Sequence, residues 1–126
     1  MSRIVIAEDD ASIRDLLAQV LALDGYKVTA LSDGVAALDA IRDQQPDLVV
    51  LDLMMPRLDG LSVLRAIRDD DATRSVPVVI VTARSDDETT WAGWTGGCDY
   101  YLPKPFEPED LVAAVHRLVE PEGASA

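Results

Sequence analysis

Cysteine is nearly absent from this 126-residue chain: Cys98 stands alone, so no disulfide can form within it. That fits a reducing compartment. Basic residues are scarce, with 11 Lys and Arg against 23 Asp and Glu, a net charge of −12. Such a surface repels phosphate backbones, so direct nucleic-acid binding is not expected. No apolar run reaches the length of a membrane span. The start of the chain lacks the charged and apolar regions of a signal peptide, so a cytoplasmic setting is expected. Linkers, repeats and low-complexity segments are also missing. What remains is an ordinary globular composition, long enough for one domain with a core of its own.

The chain alternates short apolar runs with amphipathic stretches. Ile4–Ala7, Leu48–Leu51 and Val78–Val81 are continuous and β-branched, as in strands buried on both faces of a parallel sheet. Val28 and Ala30 alternate with polar neighbours, which predicts a strand with one wetter face. Cys98–Leu102 is expected to form a fifth strand. The intervening stretches carry helical stripes. These are Ile13, Leu16, Leu17, Val20 and Leu21, ended by Gly25; Val35, Leu38 and Ile41, opened by Asp33-Gly34; and Leu61, Leu64 and Ile67. Trp91 and Trp94 lie three apart in a fourth. Leu111, Val112, Val115, Leu118 and Val119 form a fifth, with Pro108 at its first position. Five βα units in a row imply an α/β, doubly wound parallel sheet with helices on both faces. Residues 1–120 are expected to form the domain and 121–126 a short tail.

Polar residues gather where the strands should end. Glu8, Asp9 and Asp10 follow the first, Asp52 the third, Thr82 closes the fourth, and Lys104 follows the fifth. Open α/β sheets bind ligands beyond the carboxyl ends of their strands. Each residue has an ordinary use: Asp10 or Asp9 as a helix cap, Asp52 in a turn, Thr82 in a strand and Lys104 on the surface. Asp10 is assigned to the cap. The rest, converging from four strand ends, would set three carboxylates together. A hard divalent cation bound by oxygen ligands is the natural way to neutralise them.

These residues lie in stretches that resemble the receiver domain of bacterial two-component response regulators, the chemotaxis-regulator type included. The stretches are Ile4-Val5-Ile6-Ala7-Glu8-Asp9-Asp10, Leu51-Asp52-Leu53-Met54-Met55-Pro56 with Asp59-Gly60, Val81-Thr82-Ala83, and Asp99-Tyr100-Tyr101-Leu102-Pro103-Lys104-Pro105-Phe106. The resemblance runs from Arg3 to about Val119. It implies a flavodoxin-like (βα)5 fold with strand order 2-1-3-4-5. It implies that Asp52 is the phosphoacceptor, in a reaction dependent on Mg²⁺, with Mn²⁺ as a substitute. Asp9, Asp52 and the backbone carbonyl of Met54 would ligate the metal, and Glu8 would act through water. Thr82, Ala83 and Lys104 would surround the phosphoryl group, with a cis peptide bond before Pro105. Thr82 and Tyr101 would form the switch. The donor would be a histidine kinase or histidine phosphotransfer protein. Met54 and Arg84 stand where members of the family tune autodephosphorylation.

Other readings fit the residues less well. A dinucleotide site needs a Gly-rich turn where Glu8-Asp9-Asp10 stands. A haloacid-dehalogenase-like, Mg²⁺-dependent phosphatase places its nucleophile after the first strand, with a second Asp two residues on; Glu8-Asp9-Asp10-Ala11 does not match. A degenerate receiver would act as an interaction module without phosphorylation, yet every expected site position is filled. No helix-turn-helix follows the fifth helix, so the expectation is either a stand-alone receiver or one whose output domain was cut away, and the native-looking start and the lack of a long linker lean towards the first. In this family the fourth helix, fifth strand and fifth helix commonly bind an output protein or domain. Trp91, Trp94, Tyr100 and Val112 are expected on that face. Thr90 and Ala114 stand where DNA-binding members carry bases, and Tyr100 where they carry an acid, so their charge-paired homodimer is not expected.

Overall fold

The computed structural model describes residues 2–83 and 87–119. Five parallel strands are β1 (Arg3–Ala7), β2 (Lys27–Leu31), β3 (Leu48–Leu51), β4 (Val78–Thr82) and β5 (Tyr100–Pro103). They lie in the order β2-β1-β3-β4-β5. Five helices alternate with them: α1 (Ala11–Leu23), α2 (Gly34–Gln44), α3 (Gly60–Asp69), α4 (Asp87–Thr95) and α5 (Pro108–Val119). Strands β3 and β4 are buried throughout, as their unbroken apolar runs require. Side chains that alternate across the sheet feed two cores. Val5, Val49, Leu51, Val78 and Ile80 join α2 and α3 on one face. Ile4, Ile6, Val50, Val79 and Val81 join α1 and α5 on the other.

Aspartates start three of the helices. The side chains of Asp10, Asp33 and Asp59 accept hydrogen bonds from the backbone N–H of Ile13, Ala36 and Ser62, at 3.1, 2.8 and 2.9 Å. Each satisfies a donor that the first turn leaves without a helical partner. Asp10 is thus occupied as a cap, as its sequence position implied. Gly25, with φ +95°, carries the chain out of α1.

Four details differ from the sequence expectation. Leu16 is 46% exposed although it lies on the apolar stripe of α1. Val35 is exposed, and α2 buries Gly34, Ala37 and Ile41 instead. On β2, Ala30 is exposed while Thr29 and Leu31 are half-buried, because only one neighbour strand flanks this edge. Strand β5 begins two residues late: the N–H of Cys98 donates to the Gly93 carbonyl at 3.1 Å and so closes the end of α4. The expected tail 121–126 and Arg84 lie outside the described residues.

Candidate functional site

Parallel register brings the acidic residues together. Ala7 pairs with Leu51 across β1 and β3, so Glu8 and Asp52 leave the sheet side by side. The Asp52 N–H donates to the Ala7 carbonyl at 2.9 Å and fixes that alignment. One strand further, the Lys104 N–H donates to the Thr82 carbonyl at 2.8 Å. Lys104 therefore leaves β5 beside the end of β4, and its side chain reaches back across the crevice. Its ammonium donates to Glu8 Oε1 at 2.6 Å and to Asp52 Oδ2 at 3.1 Å. Oxygens of Glu8, Asp9 and Asp52 all lie within 4.8 Å of one another.

Burial decides the electrostatics. Glu8 is completely buried and Asp52 nearly so, while Asp9 opens to solvent. Removal from water pushes the Glu8 carboxyl up to about 7, and neighbouring Asp52 pushes the same way; Lys104 opposes them. Burial alone would lower the Lys104 ammonium, but its bond to Glu8 and the charge of Asp52 outweigh it, and its pKa is raised. Three carboxylates against one ammonium leave an excess of negative charge at a solvent-open mouth. An all-oxygen donor set of this kind fits a hard divalent cation, with water filling the remaining positions.

The loop after β3 shapes the acceptor position. The Met54 N–H donates to Asp52 Oδ1 at 3.1 Å. Gly60 opens α3 and packs on the backbone of Asp52 and Leu53, where a Cβ would collide with the Asp52 carbonyl. The Gly60 N–H also donates to the Leu53 carbonyl at 3.0 Å. Neither partner can yield, because both are backbone. Gly60→Ala is therefore expected to destabilise the protein by about 2 kcal/mol or more, the scale of overpacking in a closed core; urea denaturation measures it. On the other side of the crevice, Arg14 donates to the carbonyls of Glu8 and Asp9 at 3.0 and 3.3 Å and pins the loop that carries both acids. Sequence reasoning passed over Arg14, an ordinary helix cation by type.

Thr82 is fully buried at the end of β4, and Ala83, exposed, follows it. Tyr101 pairs in register with Ile80 and packs half-buried against the α2–α3 core. The Lys104–Pro105 peptide bond is cis. Beside the acids lies an apolar groove of about 390 Å³, lined by Ile13, Leu16, Ala83, Lys104, Pro105 and Phe106. The exposed Leu16 belongs to it.

Trp91 and Trp94 are 71% and 47% exposed. They are surface residues of α4, and Tyr100 is exposed beside them in sequence order on β5. Val112 lies on α5. It is half-buried and shares its side of α5 with His116, one turn on. His116 bonds Asp24 and stacks edge-on against Tyr26, ring centroids 5.9 Å apart, at the end of α1 and start of β2.

Among the described residues, no helix is long and apolar enough to cross a membrane. The model of the response regulator receiver domain matches residues 4–116. The chain is 45% identical over 119 residues to "Response regulator MprA" of Mycobacterium sp. (strain KMS), covering 93% of this chain and 50% of that protein. It therefore spans about half the length of the curated relatives it matches. Its structure superposes on chemotaxis protein CheY4 of Vibrio cholerae with TM-score 0.88 at 28% identity, over 94% of this chain and 98% of that one. It also superposes on the receiver domain of sensor histidine kinase PA1611 from Pseudomonas aeruginosa, which carries a magnesium ion coordinated in its active-site cleft. Here the TM-score is 0.87 at 30% identity, over 94% and 97% of the two chains. With the sheet order, the strand-end acids and a match across nearly the whole chain in agreement, the protein belongs to the response regulator receiver domain family.

Proposed function

We propose that Asp52 accepts a phosphoryl group in a Mg²⁺-dependent reaction with a phosphohistidine of a histidine kinase or phosphotransfer protein. The observation that supports this reading is the buried Asp52 carboxylate in one cluster with Glu8 and Asp9, hydrogen-bonded to the Lys104 ammonium that also binds Glu8. One carboxylate oxygen of Asp52 attacks phosphorus; the P–N bond to the donor imidazole breaks, and the imidazole leaves with its electron pair and takes up a proton. Charge grows on the phosphoryl oxygens as this happens. Lys104 is already positioned to stabilise it. Asp9, Asp52 and the Met54 carbonyl would hold Mg²⁺, or Mn²⁺ in its place, with Glu8 acting through water. The cation's share is to offset the carboxylates and the transferring group. Thr82 would bond a phosphoryl oxygen, and small Ala83 keeps the approach open. The apolar groove of Ile13, Leu16 and Phe106 beside the acceptor is a surface on which a donor can seat.

The protein would catalyse only its own phosphorylation and dephosphorylation. Acetyl phosphate with Mg²⁺ should load one phosphoryl group per chain and stop. Continued turnover of a small phosphoester would favour the phosphatase reading, and no uptake the degenerate one. The domain itself would be residues 1–120, in a cytoplasmic setting.

Output is assigned to the face of α4, β5 and α5. Thr82 would move towards the phosphoryl group and Tyr101 would turn inward into the space it leaves. Exposed Trp91 and Trp94 make this face apolar, and aromatic anchors tend to dominate interface energies. Tryptophan fluorescence is expected to shift when beryllofluoride, which stands in for the phosphoryl group, is added with Mg²⁺, beyond the change from Mg²⁺ alone. The shift should vanish in Asp52→Asn and shrink in Tyr101→Ala. A silent parent whose site is occupied by NMR would remove this face from the switch.

A further inference from the structure

Helix α4 meets the sheet through a glycine, Gly93. Its sequence offers weak helix formers, with threonine at 89, 90 and 95 and two tryptophans. Gly93, in its middle, weakens it further. Yet Gly93 is buried while Trp91 and Trp94 are exposed. A residue that costs the helix stability stands at the point where the helix meets the core, so packing must account for it. A Cβ at Gly93 would lie 3.2 Å from Ile80 Cδ1 and 3.2 Å from both Tyr101 Cδ2 and Cε2. These distances are tighter than ordinary carbon–carbon contact.

Two neighbours would feel that methyl, and they differ in freedom. Ile80 is fully buried in the middle of β4, between paired strands. Tyr101 is half-buried on the edge strand, and its ring can swing about the Cα–Cβ bond. The ring therefore gives way. Tyr101 pairs with Ile80, and Thr82 lies two residues beyond Ile80 on the same face of the sheet. A ring that turns inward towards Thr82 stays under α4, with Gly93 as its ceiling.

We propose that Gly93 is a positioning residue of the switch: its missing side chain leaves the space beneath α4 that the Tyr101 ring occupies when the acceptor site is loaded. The inference rests on the acceptor-site reading above and adds a residue to it. Adding a methyl should push the ring outward and so weaken loading, although Gly93 touches neither metal nor phosphoryl group. Alanine also favours the helix itself, so a loss of loading would run against its effect on local stability.

The test is a four-protein cycle of parent, Gly93→Ala, Tyr101→Ala and the double variant, read as the beryllofluoride concentration for half-loading at saturating Mg²⁺. Gly93→Ala is expected to raise that concentration roughly fivefold, the scale of one excess methyl in a packed site. It should raise it not at all when Tyr101 is already Ala. Ile80→Val should not rescue Gly93→Ala. An unchanged midpoint in Gly93→Ala, or an equal rise with and without the Tyr101 ring, overturns the proposal. Should Gly93→Ala fail to fold, NMR on the parent decides: contacts between the Tyr101 ring protons and the Gly93 Hα must persist on loading, and their loss overturns it. A parent that takes up no beryllofluoride sinks the acceptor-site reading itself, a distinct signal, and this inference with it.

Discussion

Incubated with acetyl phosphate and Mg²⁺, the parent protein is expected to gain one phosphoryl group by intact mass spectrometry, and Asp52→Asn none. The effect should be a complete loss. Asparagine keeps the shape and can still accept the Met54 N–H through its oxygen, so the fold should survive. It offers no carboxylate oxygen to attack phosphorus. Other acids in the crevice are poor substitutes. Glu8 is fully buried and bound to Lys104, and Asp10 caps α1. Asp9 is the exposed member of the acid cluster, so an adduct on the Asn variant would map there. The parent adduct should be an acyl phosphate, labile to hydroxylamine. Equal incorporation in the Asn variant would rule out the assignment.

The strands and the crevice were legible because both arise from local rules. Unbroken apolar runs mark strands buried on two faces, and a parallel sheet must gather the residues just past each strand at one edge. Asp10 and Asp33 could be read as helix starts for the same reason: a cap acts on its own first turn. The features that escaped the sequence depend on tertiary neighbours. Leu16 fits the apolar stripe of α1, but the groove beside Lys104 leaves it open. Periodicity gives a helix face and not the partner it meets. Gly60 and Gly93 carried no signal of the backbone and ring they lie against, and Arg14 none of the two carbonyls it holds.

Mg²⁺ binding should depend on both Asp9 and pH. In the folded protein Glu8 holds its proton up to about 7, against an ordinary value of 4.5. Between those values the folded state binds more protons than the unfolded one. Metal-free stability should therefore fall as pH rises through that window, the reverse of a carboxylate whose pKa is lowered on folding. Mg²⁺ reverses the advantage: it favours the ionised acids, so its binding should release protons and strengthen with pH up to about 7. Lys104 does not disturb the sign, since its raised pKa keeps it charged throughout the window. Glu8→Gln should flatten the pH dependence. Asp9→Ala removes the one solvent-facing acid of the cluster. It should weaken Mg²⁺ at least ~100-fold, since even the loss of an outer partner of a metal site costs roughly 10–100-fold. Without metal the same change relieves repulsion, so Asp9→Ala should melt higher than the parent. With Mg²⁺ the order should invert, because a ligand that binds only the folded state stabilises it by mass action. Calorimetric titration and thermal melts with and without Mg²⁺ measure both effects. Equal Mg²⁺ affinity in parent and Asp9→Ala would remove Asp9 from the coordination shell.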